Sequence, residues 1–299
     1  MQEAPVLRPL SVGDIIDRVL RLIRANIILF VGIALIPDLL LELLQRISGL
    51  SQTLDPNDLR LLFDPTSAPV SPRQFQVPNT GAVIAVVIVS IAVSLIQAGA
   101  LIEAIGQRYL GRAITVREAY ERGARAVPRL VLSALVVGAV FIVAILVIAA
   151  AVAVLNSSAA AAVVVALLGI VGFFFVLPWA FLSLTVVGPA IVLEWCGPIA
   201  GIRRSFHLMD KARLRALGLY ILVWIMTIIL GIVLGIVFLV SFVTDPTVRA
   251  VLQVVASVVS STISSPLLYG AAVVLFYDLR VRKEAFDLQL AAEALPREG

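Results

Sequence analysis

The sequence predicts an all-α, polytopic bundle of six transmembrane helices with amphipathic helices along the cytoplasmic interface, and three observations carry that expectation. The 299 residues are 61% apolar and 14% charged, against about a quarter charged in an ordinary soluble domain. Too little polar surface exists to wet a globule of this size. Five stretches, 81–102, 130–155, 159–193, 216–242 and 250–277, contain no Asp, Glu, Lys or Arg, and each is long enough to cross a hydrocarbon core of about 30 Å. Finally, Lys and Arg sort onto one side of six crossings. A transmembrane β-barrel would show short strands of alternating polarity, whereas these runs are continuous and rich in Ala, Val, Leu and Ile.

Taken in order within a single membrane domain, 1–299, the spans fall at about 26–45, 81–105, 130–155, 159–187, 217–243 and 251–277. The first carries Asp38 and Glu42, each costing about 3 kcal/mol at mid-membrane. Asp38 lies past the midplane, where a carboxylate costs less, or else the span stops at Pro37 and Asp38 caps a short outer helix. No short basic leader precedes this span, so it is expected to be retained. The extracytoplasmic loop 46–80 holds five prolines and is either functional or mobile. Asn156-Ser157-Ser158 and Thr244-Asp245-Pro246-Thr247 read as turns, which makes spans three and four, and five and six, antiparallel hairpins.

Orientation follows from charge. Of the 23 Lys and Arg residues, only Arg46, Arg60, Arg73 and Arg249 lie opposite the rest. The positive-inside rule then places both termini, including the tail 278–299, in the cytoplasm of a cell whose plasma membrane holds the chain. Trp195, Tyr220 and Tyr277 fall at cytoplasmic boundaries, as an aromatic belt would.

Each odd-numbered span is preceded by an amphipathic stretch, at about 11–25, 115–127 and 198–210. Ser11 matches Thr115, Asp14 and Asp17 match Glu118 and Glu121, and Arg18 and Arg21 match Arg122 and Arg125, all at one offset. Each of these two copies begins with a variant of the capping box and continues with acid-to-Arg pairs at i, i+4. The third starts at Gly197-Pro198, with Ile199, Ile202, Phe206 and Met209 as its apolar stripe and Arg203, Arg204, His207 and Lys211 facing water. Three parallel repeats around an axis along the membrane normal are the sharper reading, and convergence of basic interfacial helices is the plainer one.

Polar residues inside the spans are the candidate site. Span six aligns Gln253, Ser257, Ser260, Ser261 and Ser264 on one face, and span two offers Ser90, Ser94 and Gln97. They line a polar cavity between spans two, four and six, or they serve as interhelical glue. Gly231 and Gly235 on span five read as a close-packing face. Glu103, Glu194 and Asp278, at the cytoplasmic ends of spans two, four and six, either pair with Arg18, Arg122 and Arg204 or are ordinary solvated helix ends. Asp38 and Glu42 share a face and form an ion or proton site, or sit solvated near the loop. His207 is the only histidine and Cys196 the only cysteine, so a zinc site lacks its ligands and no metal or cofactor is expected. Phosphate-loop, HExxH and GxSxG signatures are all missing. No catalytic residue is assigned.

The runs Leu7-Arg8-Pro9-Leu10-Ser11-Val12-Gly13-Asp14, Glu194 to Phe206, and Tyr277-Asp278-Leu279-Arg280-Val281-Arg282-Lys283-Glu284-Ala285-Phe286-Asp287-Leu288 together resemble the membrane-domain family of glycerophosphoryl diester phosphodiesterases. The resemblance spans essentially the whole chain. It implies a membrane domain that often stands alone, without the TIM-barrel domain that carries the diesterase activity in full-length relatives. That barrel begins at a His-Arg-Gly run missing here, and the tail after Arg280 is far shorter than the about 250 residues a barrel takes. The function expected is therefore a non-enzymatic structural, regulatory or partner-binding membrane protein, whose basic face meets anionic lipid and no nucleic acid. The competing expectation is a transporter or lipid-handling protein.

Overall fold

The structure, a computed structural model, describes residues 9–48, 80–154, 159–241 and 245–289. The expected loop 46–80 thus lies largely outside the described residues, as do the Asn156 turn and the tail from 290 on. Helices α1 (Val12–Ala25), α2 (Ile27–Ile47), α3 (Thr80–Tyr109), α4 (Val116–Val154), α5 (Ala159–Leu184), α6 (Val187–Leu193), α7 (Pro198–Met209), α8 (Arg213–Ser241) and α9 (Pro246–Glu284) account for nearly all of them. Six helices are long and apolar enough to cross a membrane, over Ile27–Ile47, Val83–Tyr109, Val116–Leu146, Phe175–Leu193, Arg213–Ile236 and Thr247–Glu284. The fold is an all-α polytopic bundle.

Boundaries depart from the sequence expectation in several places. The second interfacial stretch is continuous with span three in α4, because Pro128 sits inside that helix without ending it. Span six runs on to Glu284, seven residues past its expected end. Span four breaks between α5 and α6 at Thr185 and Val186, where Pro189 has no N–H for the Thr185 carbonyl.

The three amphipathic segments correspond position by position along their buried faces. One offset of 104 residues takes Ser11 to Thr115, and one of 186 takes Ser11 to Gly197; these three are the residues that open the segments. Ser11 and Thr115 both form capping boxes, with Asp14 and Glu118 closing back on the cap. The same offsets relate Ile15, Ala119 and Gly201, and Val19, Gly123 and Ser205, all six buried. Steps of four along a helix define one face. In α7 that face is Gly201, Ser205 and Leu208, and the stripe expected from sequence is met only in part: Met209 is buried and Ile202 packs against the core, but Ile199 is 64% exposed.

Each of these faces packs on an even-numbered span, and the pattern is cyclic. Gly123 meets Gly99 of α3 so closely that a Cβ at either would lie under 3 Å from backbone atoms of the other strand of contact. Ser205 Oγ donates to the Ser183 carbonyl of α5 at 2.6 Å. Val19 of α1 fills the space over Gly270 of α9. Thus the second segment rests on span two, the third on span four and the first on span six. At their arginine-rich ends the even spans also touch one another. Gly106 and Gly188 receive Leu193 and Ile102 between spans two and four, and Tyr109 stacks on Tyr277 at 5.2 Å between spans two and six. Glu194 meets Arg280, 3.1 Å away, between spans four and six. Leu101, Ile105, Ile191 and Leu275 fill the centre.

Candidate functional site

Polar chemistry inside the bundle gathers on α2. Pro37 leaves the Ile33 carbonyl without its helical donor, and Tyr120 Oη of α4 donates to it at 2.6 Å. One residue further, Asp38 is buried, with Oδ1 accepting from Gln97 Nε2 at 2.9 Å and Oδ2 from Thr262 Oγ1 at 3.2 Å. A turn outward, Glu42 accepts from Ser257 Oγ at 2.6 Å and from Arg46 Nε at 2.7 Å. Two carboxylates at i, i+4 therefore tie α2 to α3 and α9. Asp38 lies within the helix, which removes the option of a span ending at Pro37.

This arrangement corrects the expected polar cavity between spans two, four and six. Gln97 and Ser257 turn to span one, not to the axis. Gln253 is buried with Nε2 unpartnered, Ser261 Oγ donates to the Val258 carbonyl, and Ser90, Ser94 and Ser260 are half-buried. Thr262 carried no sequence signal, being one hydroxyl in a long apolar helix. Gly231 and Gly235 face open space and make no close contact among the described residues.

Two cavities among the described residues are walled mostly by apolar side chains. One of about 650 Å³ lies between α5, α8 and α9 and includes Phe181, Leu217, Tyr220, Trp224, Ser264 and Leu268. A second of about 330 Å³ lies between α3, α4, α5, α6, α8 and α9 and shares Phe181, Tyr220 and Leu268 with the first. Ser261 and Ser264 are the two residues of the expected polar lining that reach a cavity wall.

The arginine-rich end is held by carboxylates. Glu103 is buried and faces Arg122, 3.7 Å away. Glu194 takes a two-pronged contact from Arg204, Nε and Nη2 each at 2.8 Å. Arg204 also donates to Glu284, and Arg280 bridges Glu194 and Glu284 while lying 3.8 Å over the Phe286 ring. Arg204 is thus clamped, not turned to water, and these hydrogen bonds, first to Glu194 and then to Glu284, hold its guanidinium above its ordinary range. Burial, reinforced by the Glu194 carboxylate, pushes the nearby Cys196 thiol up. Asp278 departs from the expected Arg18 pairing: it accepts from the Leu10 N–H at 2.7 Å and pairs with Arg215 and Arg282, both at 3.0 Å. Arg18 instead lies over Tyr109. Tyr277 is a core residue between Tyr109 and Phe286, not part of an aromatic belt, and Tyr220 lines the cavities. Trp195 is exposed beneath Arg129.

Among the described residues no group of three His, Cys, Asp or Glu side chains is placed to hold a metal ion. Neither a curated protein nor a solved structure matches the chain. One family does match, over residues 10–279, a range that runs from the clasped Leu10 to the residue after Asp278, and the chain belongs to it: DUF7847, a domain of unknown function.

Proposed function

We propose that the chain is a multi-pass integral protein of the plasma membrane, with both termini in the cytoplasm, that acts as a structural, regulatory or partner-binding module and catalyses no reaction. The observation that carries this is its outer surface. Ile28, Ile36, Leu135, Val140, Trp224 and Ile232, on three different helices, are each more than 60% exposed, a continuous apolar coat that water would not tolerate and lipid would. Arg21, Arg24, Arg117, Arg125 and Arg203 are exposed at one end of that coat, suited to an anionic leaflet. The carboxylates Asp38, Glu42, Glu103 and Asp278 are occupied by neighbouring donors, which supports holding helices together over attacking a substrate. The resemblance to the diesterase membrane domain is read the same way, as a domain without the diesterase chemistry.

A second reading, a lipid-handling protein, is favoured by the cavity of about 650 Å³ among α5, α8 and α9, although its walls are apolar and not the polar lining first expected. The proposal is tested with reporter fusions. Those at Gly299 and within 110–115 should report cytoplasm and those within 66–77 the outside, and an odd number of crossings between 115 and 299 would refute it. Purified protein should release no product from glycerophosphodiesters.

A further inference from the structure

The larger cavity has a cation at its rim that no carboxylate among the described residues neutralises. Arg213 opens α8, and Leu217, one turn along, lines the cavity. Its guanidinium lies 4.4 Å over the Trp179 ring and Nε donates to Ser183 Oγ at 2.9 Å. The side chain therefore bridges α8 to the α5 wall formed by Pro178, Phe181 and Leu182. Arg204, Arg215, Arg280 and Arg282 all pair with carboxylates. Among the described residues Arg213 has none, and its Nη1 and Nη2 donors are unspent. Deeper in the same cavity, the Ser264 and Ser265 hydroxyls are buried without a partner.

We propose that this cavity binds an anionic glycerophospholipid drawn from the surrounding leaflet, with its phosphate on Arg213 and an acyl chain lying between α8 and α9. The volume is that of a ligand site, and an apolar space with so few polar partners holds water poorly. Inside a bilayer the ready occupant is a lipid chain. A guanidinium with two free donors fits a phosphate oxygen pair, and it favours a phosphate with no cation of its own over that of a zwitterion, whose choline offsets the charge; an indole beside it suits the headgroup level. The unpartnered hydroxyls add donors that a purely hydrocarbon contact would leave unused. This inference goes beyond the proposed function and rests on its membrane placement.

Trp224 lines the cavity and Trp179 stacks on its rim, so a Trp195→Phe chain reports on it by fluorescence. The protein is placed in dioleoylphosphatidylcholine vesicles containing equal small fractions of either brominated phosphatidylglycerol or brominated phosphatidylcholine. Quenching by the anionic lipid should show about fivefold tighter apparent binding, the effect of one well-placed cationic contact. Arg213→Gln should remove the preference, while Arg203→Gln, an exposed arginine of α7, should keep it. Should Arg213→Gln fold poorly, Thr227→Phe, which fills the cavity from α8, should abolish the preference by itself. Equal quenching by the two lipids, or a preference that survives both Arg213→Gln and Thr227→Phe, overturns the site. So does a preference lost in Arg203→Gln, which would mark diffuse surface charge. Quenching by neither lipid would overturn the membrane placement together with the site.

Discussion

Arg204 joins three elements, two of them consecutive and the third 80 residues on, since Glu194 follows α6, Glu284 ends α9 and Arg204 itself belongs to α7. Its planar fork serves two carboxylates at once, which a point charge does not. Arg204→Ala should therefore lower stability by about 3 kcal/mol, in the range for removing one member of a substantially buried charge group, with Arg204→Lys recovering less than half. Thermal unfolding in detergent micelles measures both, and an alanine variant that melts with the parent would remove the clamp from the account. Parts of this network were legible beforehand. Glu103 with Arg122 and Glu194 with Arg204 were foreseeable because the carboxylates end spans and the arginines hold equal places in the capped segments. The Asp278 contacts were not, since a backbone N–H such as that of Leu10 leaves no mark in sequence, and Thr262 was missed because a hydroxyl meeting Asp38 looks like any other. Tyr277 misled because an aromatic at a span boundary reads the same whether it meets lipid or two other rings.

At the level of elements, helix and span positions followed from uncharged length, and the first two amphipathic segments from their capping boxes. What sequence could not supply was the rotation of α7, whose buried face sets Gly201 and Ser205 beside Leu208 and Met209. Small residues give no hydrophobic signal, yet they set how near a helix can come. Gly123 shows the same thing at closest range: a Cβ there would lie 2.5 Å from backbone atoms of Gly99 and Ala100, and backbone cannot swing aside as a side chain can. Gly123→Ala should cost about 2–3 kcal/mol through overpacking. Gly138→Ala on the same helix meets nothing within 4 Å and should be neutral or stabilising by up to about 1 kcal/mol, as helix propensity dictates. Comparable melting of the two variants would contradict the close contact of α3 and α4.

For the whole molecule, the repeat suggested by the first two segments becomes a closed order in which each even span seats the next segment and span six seats the first. The offsets were readable from Ser11 and Thr115. The closure was not, because it depends on contacts between residues at opposite ends of the chain. Asp278 is the residue that closes it, accepting from Leu10 while Arg282 also donates to the Leu10 carbonyl at 2.9 Å. Asp278→Ala should free α1 at its start, so that limited trypsin digestion of the micelle-bound protein cuts at Arg18, Arg21 or Arg24 at least tenfold faster than in the parent. Unchanged cleavage would mean that Val19 over Gly270 holds α1 without the carboxylate.

The clasp between Leu10 and Asp278 spans 268 positions, and that separation sets a clock. At typical synthesis rates of 5–20 residues per second, the first helix waits about 10–50 s for the residue that captures it. During that interval its buried face of Ile15 and Val19 has no seat, and a nascent chain that stops before the last span never supplies one. An unseated first helix is thus a mark of a chain whose last span has yet to be made, displayed at α1 and erased only by α9.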